Sequence, residues 1–327
     1  MHIVVTGGLG FIGSNFIRQI LSENNDLFIT NIDAETYAAG LDNLKDIEGK
    51  KNYQYFKGNI QDYAFIESLI KKYKPDCIIN FAAETHVDRS IHSAQPFIET
   101  NIIGTHVLLE IALKQNLNKY IQISTDEVYG SINPPYKFHE ESLIKPNSPY
   151  SASKAGADHL VRAYQETYGL NTMTIRCSNN FGPYQFPEKV IPYFISLALK
   201  NEKVPVYGDG LNIRDWIFVN DFCSAIKLVL EKGKSGEVYN VGGNCELNNL
   251  QLTKTILKRL NKLESLINFV KDRPGHDRRY AMDSTKIQTQ LGWKKKHNFE
   301  EALDETISWY KNNKEWVERR MEQCTIV

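Results

Sequence analysis

Two short runs in this 327-residue chain carry groups able to do acid–base work on a small molecule. Thr125, Asp126 and Glu127 close one apolar stretch, and Tyr150 and Lys154 stand four residues apart in the next. A helix through 149–168 aims both of the latter side chains from one face. A phenol near its ordinary pKa of about 10 is a poor base at neutrality, and lowering it by about 3 units needs roughly 4 kcal/mol. An ammonium about 5 Å away contributes on the order of 3 kcal/mol at an effective dielectric of about 20. Lys154, together with the second positive charge of a bound oxidant, is therefore expected to turn Tyr150 into a base that takes an alcohol's proton as its carbon gives up hydride. Oxidation alone needs no further acid or base. Asp126 and Glu127 differ by one methylene and can reach different atoms; burying both drives their pKa values apart, leaving one protonated and one ionised. That division suits loss of water, so the chain reads as an enzyme that oxidises, eliminates and reduces.

These groups need strand ends and a helix to hold them. Apolar, β-branched runs at 3–6, 28–32, 53–56, 77–81, 120–123 and 172–175 alternate with amphipathic stretches at 10–23, 62–73, 96–115 and 148–168. Such alternation predicts the α/β class, a doubly wound parallel sheet of the Rossmann kind, with Thr125 to Glu127 at a strand's C-terminal end, where such sheets bind ligands. Beyond Arg176, prolines and glycines break the pattern into shorter pieces, with helical stretches at 219–232, 248–261 and 299–320. Residues 1–177 read as a nucleotide-binding domain to which 213–243 returns. Residues 178–327 read as mainly a smaller, mixed α/β substrate lobe, with no flexible linker between the two.

Residues 6–13 read TGGLGFIG, which sets Gly7, Gly10 and Gly13 between the first strand and the first helix. Glycines let the backbone turn sharply and approach a pyrophosphate, whose charge is favoured by the open amides of the helix start. Asp33 ends the second strand about twenty residues further on, where a carboxylate accepts from ribose hydroxyls and repels a 2′-phosphate. Strand, turn, helix and acid together predict bound NAD.

Further motifs, NFAAETHVDRS, STDEVYG, PNSPYSASKA, RCSNNFGPYQFPEK, RDWIFVNDF and DRPGHDRRYA, carry a resemblance over essentially the whole length. Through them the chain resembles the nucleotide-sugar 4,6-dehydratases of the extended short-chain dehydrogenase/reductase family, in which the glycine spacing of the turn is typical. The resemblance implies that Tyr150 takes the proton of a sugar 4-hydroxyl while hydride passes to NAD, with Thr125 bonding that oxygen. Glu127 then removes the C5 proton, Asp126 protonates the departing 6-hydroxyl, and hydride returns to C6, so that NAD is not consumed. It implies that Phe11, Ile12, Thr36, Ile60, Phe81, Ala82, Ala83, Thr100 and Asn180 join the glycines, Asp33, Tyr150 and Lys154 around NAD. Asn59 belongs to the same set but stands where relatives carry an aspartate, and Ala34 where a basic residue is common, which predicts an altered cofactor affinity. Glu84, His86, Asn179, Lys189, Val190, Pro205, Val206, Tyr207, Arg214, Asn249, Arg273 and His276 are the implied substrate contacts. The implied substrate is a nucleotide-diphosphate sugar on the way to rhamnose and other deoxysugars, with dTDP-glucose favoured over UDP- or CDP-glucose. A homodimer through about 97–115 and 148–168 is also implied. Nucleotide-sugar 4-epimerases and decarboxylases share the turn and the Tyr/Lys pair but lack the Asp126–Glu127 couple. A silent NAD-binding regulator would have no need of these side chains.

Bulk properties exclude other classes. The 39 basic and 39 acidic side chains cancel, leaving no global field for nucleic acid or an anionic membrane. No apolar run approaches spanning length, and no secretory pattern opens the sequence, so a cytoplasmic enzyme is expected. Five scattered cysteines and eight histidines show no metal-ligand or disulfide spacing, and no metal is expected. The last four residues, Cys324 to Val327, formally match a prenylation box but lack an upstream polybasic run, and read as an accidental tail.

Overall fold

In a computed structural model describing residues 1–325, the six apolar runs become strands β1 (His2–Thr6), β2 (Phe28–Asp33), β3 (Tyr53–Lys57), β4 (Cys77–Asn80), β5 (Lys119–Thr125) and β6 (Thr172–Cys177). They pair in parallel with β10 (Val238–Val241) in the order β10-β6-β5-β4-β1-β2-β3. The order reverses between β1 and β4, the switch point at which a doubly wound sheet opens a ligand crevice. Neighbouring residues of one strand serve opposite faces: Val4 and Ile78 bury into one apolar cluster, Ile3, Val5 and Ile79 into the other. The sheet is closed by helices α1 (Phe11–Glu23), α2 (Tyr63–Tyr73), α5 (Thr105–Lys114), α6 (Pro149–Tyr168) and α8 (Val219–Lys232).

After a short helix α3 (Val87–His92), the stretch 96–115 that the sequence predicts as one helix forms the one-turn helix α4 (Gln95–Phe97) and a widened π-helical stretch, Ile98–Gly104, before α5. The π stretch brings Thr100 to the crevice and returns Asn101 to the Glu84 backbone, whose N–H it accepts at 2.9 Å and whose carbonyl it donates to at 3.0 Å. Helix α6 follows the sequence closely because its ends are specified. Ser148 and Ser151 form a capping box, Pro149 opens the first turn, and Gly169 closes it at φ 70°.

The second half adds a three-stranded sheet, β7 (Asn179–Phe181), β9 (Ile213–Phe218) and β11 (Glu246–Asn248), and a pair, β8 (Val204–Tyr207) with β12 (Ile267–Val270). Of the segment 213–243, α8 packs on α1 and β10 joins the main sheet, while Ile213–Phe218 stays in the three-stranded sheet. Helices α7 (Val190–Leu199), α9 (Asn249–Arg259), α10 (Thr285–Leu291), α11 (Phe299–Asn312) and α12 (Lys314–Thr325) complete the chain. The stretch predicted as one helix over 299–320 is broken at Asn313. One continuous core runs from Val5 and Ile175 through Phe222 to Trp293, Leu303 and Tyr310, so the two halves share their packing. Among the described residues no helix is long and apolar enough to cross a membrane. Of the C-terminal tetrapeptide, Ile326 and Val327 lie outside the described residues.

Candidate active site

The glycine turn sits at the end of β1 with little room to spare. Gly7 takes φ 71°, and a Cβ there would stand 2.6 Å from the Ala82 nitrogen; one on Gly13 would stand 2.5 Å from the Gly7 carbonyl. Helix α1 starts after Gly10 without a side-chain cap, which leaves its first amides available to an anion. Asp33 is buried, and its two oxygens accept from the Leu9 and Glu35 amides, each at 2.9 Å. Burial pushes its carboxyl above the ordinary value against these bonds. Gly7, Gly10, Phe11, Ile12, Gly13 and Asp33 line one cavity with Thr36, Asn59, Ile60 and Thr100, and with Phe81, Ala82 and Ala83 after β4. The Asn59 amide oxygen already accepts from the Gln61 backbone at 3.0 Å, so the group that replaces the relatives' aspartate is engaged in its own turn.

The same cavity reaches Thr125, Glu127, Tyr150, Lys154 and Asn180. The Lys154 ammonium is buried and donates to the Ile123 carbonyl at 2.7 Å, and burial lowers its pKa. Burial raises the Tyr150 phenol well above its ordinary value, and the nearby carboxyls of Glu127 and Asp126 push the same way, with only the Thr125 hydroxyl opposing. With no oxidant's charge beside it, the buried Tyr150 phenol is held protonated, and the Lys154 ammonium is tied to the strand.

Burial pushes both Asp126 and Glu127 up, and unequally. Asp126 is 2% exposed, its Oδ1 accepts from the Thr125 hydroxyl at 3.3 Å, and its Oδ2 is buried with no partner. Burial raises its carboxyl well above the ordinary value, helped by Glu127 and Asp215 and opposed by Arg214. Glu127 is only half-buried and faces the cavity; burial raises it too, but Arg214, Arg273 and Lys189 pull it down. Free in water the aspartate is the stronger acid of the two. The fold favours the proton on Asp126.

Of the anticipated substrate contacts, Glu84, Asn179 and Lys189 line this cavity, and the Lys189 ammonium is held to the Thr85 carbonyl at 2.9 Å. The remaining ones lie outside its lining. His86 caps α3, Val190 opens α7, and Asn249 opens α9. Pro205, Val206 and Tyr207 belong to β8. Arg214 is buried, stacked 4.2 Å from the Tyr280 ring centroid and bonded to the Asp277 carbonyl at 3.0 Å. Arg273 meets Asp88 at 3.3 Å and keeps a buried Nε without a partner, and His276 meets Asp272 at 2.6 Å. Sequence reasoning missed Glu188. Its side chain is 6% exposed, accepts from the Tyr37 hydroxyl at 2.9 Å, and has Arg89 at 3.5 Å and His86 at 3.6 Å. No local pattern announces such a buried acid, because its partners come from loops about 100 and 150 residues away.

A dinucleotide fits this donor set. The cradle excludes side chains at Gly7 and Gly13, while the Ser124 hydroxyl and the side-chain oxygens of Asn179 and Asn180 are buried at the cavity without partners. The family profile described as GDP-mannose 4,6 dehydratase matches residues 4–306. A dTDP-glucose 4,6-dehydratase of Xanthomonas campestris is 46% identical, with 96% of this chain and 94% of that one covered. The chain belongs to the dTDP-glucose 4,6-dehydratase family. Two solved members of that family superpose closely. The Bacillus anthracis protein, in complex with NAD, gives a TM-score of 0.93 at 48% identity, covering 98% of this chain and 99% of that one. The Streptomyces venezuelae protein, also with NAD, gives 0.95 at 43%, covering 98% and 100%.

Proposed function

We propose that this member of the family converts dTDP-glucose to dTDP-4-keto-6-deoxyglucose with a retained NAD, as a cytoplasmic homodimer supplying deoxysugar synthesis. The observation that carries the reading is Glu127 beside Tyr150 on the wall of the cavity shared with the dinucleotide cradle, with the carboxyl of its chain neighbour Asp126 buried outside that lining and raised well above its ordinary value. A 4-epimerase has no use for a protonated acid and an ionised base at adjacent positions.

NAD, when bound by the glycine turn, Asp33 and Lys154, supplies a hydride acceptor and donor and places positive charge near the phenol. That charge favours the phenolate that the protein by itself disfavours, so Tyr150 becomes a base only when the oxidant is present. Tyr150 takes the proton of the sugar 4-hydroxyl, and Thr125 holds that oxygen. The 4-ketone acidifies the C5 hydrogen, and Glu127 removes it. Asp126, still protonated, gives its proton to the departing 6-hydroxyl, which leaves as water. Lys189, Arg214 and Arg273 supply charge-assisted bonds to the diphosphate.

Incubation with dTDP-, UDP- and CDP-glucose, followed by alkaline absorbance of the 4-keto product, tests the reading. Product from dTDP-glucose at the highest rate supports it, and an epimerised sugar with no keto absorbance overturns it. dTDP and UDP differ by the thymine methyl and the ribose 2′-hydroxyl, and a methyl contributes only about 1 to 3 kcal/mol, so the three rates are compared at low substrate.

A further inference from the structure

The C-terminal helix reaches the cofactor turn from outside the cavity, through a short relay of hydrogen bonds. The Trp316 indole N–H donates to the Asn43 Oδ1 at 2.9 Å, and the Asn43 amide in turn donates to the Leu9 carbonyl at 2.8 Å. Leu9 lies inside the TGGLGFIG turn. Its carbonyl also accepts from the Gly40 amide at 3.2 Å, and its own N–H donates to Asp33 at 2.9 Å. The peptide between Gly8 and Gly10 is thus fixed on both sides, and one of those fixings depends on which way the Asn43 amide points. Asn43 is 1% exposed, and an indole N–H can bond only its oxygen. Trp316 therefore sets the amide so that its NH₂ faces the turn.

A second link runs parallel. Arg320 donates to the Ala39 carbonyl at 3.2 Å and pairs with Asp42, which Arg319 also meets at 2.8 Å. Ala38 and Ala39 line the cavity. A Cβ on Gly40 would run into the Arg320 guanidinium, so the loop gives up a side chain where the helix crosses it. Trp316 itself is held by an aromatic nest of Tyr184, Trp309 and Tyr310, with ring centroids 5.0 to 6.4 Å away. None of Asn43, Trp316 and Arg320 lines the cavity.

We infer that α12 is a clamp on the phosphate turn, in which Trp316, Asn43 and Arg320 are positioning residues that slow the release of NAD. The inference rests on the reading above, in which NAD leaves the cycle as it entered and is best kept between turnovers. The clamp acts through Leu9, Asp33 and Ala39 and touches neither sugar nor reacting atoms.

The test uses the full-length protein loaded with NADH and chased with excess NAD, following loss of bound-NADH fluorescence. Trp316→Phe keeps one aromatic ring in the nest and removes the donor with the five-membered part of the indole; one buried hydrogen bond predicts release faster by roughly five-fold. Arg320→Met keeps the stem and predicts a change in the same direction. Turnover per loaded site stays at the wild-type value, and melting of the NAD-free protein falls less than melting of the NAD-loaded protein. Wild-type release rates in both variants overturn the clamp, as does an equal fall in melting temperature with and without NAD. Failure of the wild-type protein itself to hold NADH removes the underlying reading and the clamp together, an outcome distinct from unchanged release in the variants.

Discussion

The cofactor end and the proposed sugar-nucleotide end of this site are built differently. The first is made of backbone and small residues: Gly7, Gly10, Gly13, Ala82 and Ala83, fixed by strand ends, with one acid, Asp33, bonded to two amides. The second is made of polar side chains, Arg273 and His276 from one loop and Arg214 from β9, each already engaged by protein groups: Arg273 with Asp88, His276 with Asp272, Arg214 with the Asp277 carbonyl. A rigid cradle suits a group that stays. Cations paired with exchangeable acids suit one that comes and goes, because an incoming diphosphate replaces a carboxylate without leaving a charge bare. Tyr150, Asp126 and Glu127 lie where the two ends meet, and their acidities answer to both.

Changes at that junction should have the largest effects. Tyr150→Phe removes the base for the first oxidation and is expected to lower turnover by about a hundred- to ten-thousand-fold, read by 4-keto product formation. Asp126→Asn should slow water loss to a similar degree while leaving hydride transfer, followed by transient NADH absorbance, nearly intact. It carries a second signature. The Asp126 carboxyl is raised by folding, so it stabilises the folded chain below its unfolded pKa, and that contribution is lost as pH rises through the raised folded value. Asn has no proton to lose, so the melting temperature of Asp126→Asn should fall less than that of wild type between acid and alkaline buffer. An equal fall would remove the assignment of the buried acid.

Arg273→Ala sharpens the contrast between the two ends. A charge-assisted bond is worth about 1.5 to 3 kcal/mol, so KM for the nucleotide sugar should rise by roughly ten- to a hundred-fold. NAD affinity, measured by calorimetry, should not change. Smaller still is Asp88→Asn. Its pair with Arg273 is partly exposed and worth about 0.2 to 1 kcal/mol, so freeing the guanidinium should lower KM by no more than about five-fold and leave stability nearly unchanged.

The same contrast explains what the sequence disclosed. Strand, turn, helix and acid occupy one stretch from His2 to Asp33, and local chemistry specifies each part, so the cradle was legible residue by residue. The inequality of Asp126 and Glu127 was legible in kind, since burying two neighbouring carboxyls must separate them. Its order came only from the resemblance and not from local chemistry, because it depends on Arg214, Arg273 and Lys189 arriving from elsewhere in the chain. The anchoring of Lys154 was hidden for a related reason: helical spacing aligned it with Tyr150, but the carbonyl that holds its ammonium belongs to β5. Glu188 and the α12 contacts were hidden altogether, being made across loops with no periodicity to betray them.

The central claim is that one bound nicotinamide takes hydride from C4 and returns it to C6 of the same sugar, with Asp126 and Glu127 expelling water in between. Turnover of dTDP-glucose deuterated at C4, with the product's methyl group read by mass spectrometry or NMR, tests this directly. The account predicts one deuterium carried into the C6 methyl; deuterium retained at C4 or lost to solvent would contradict it.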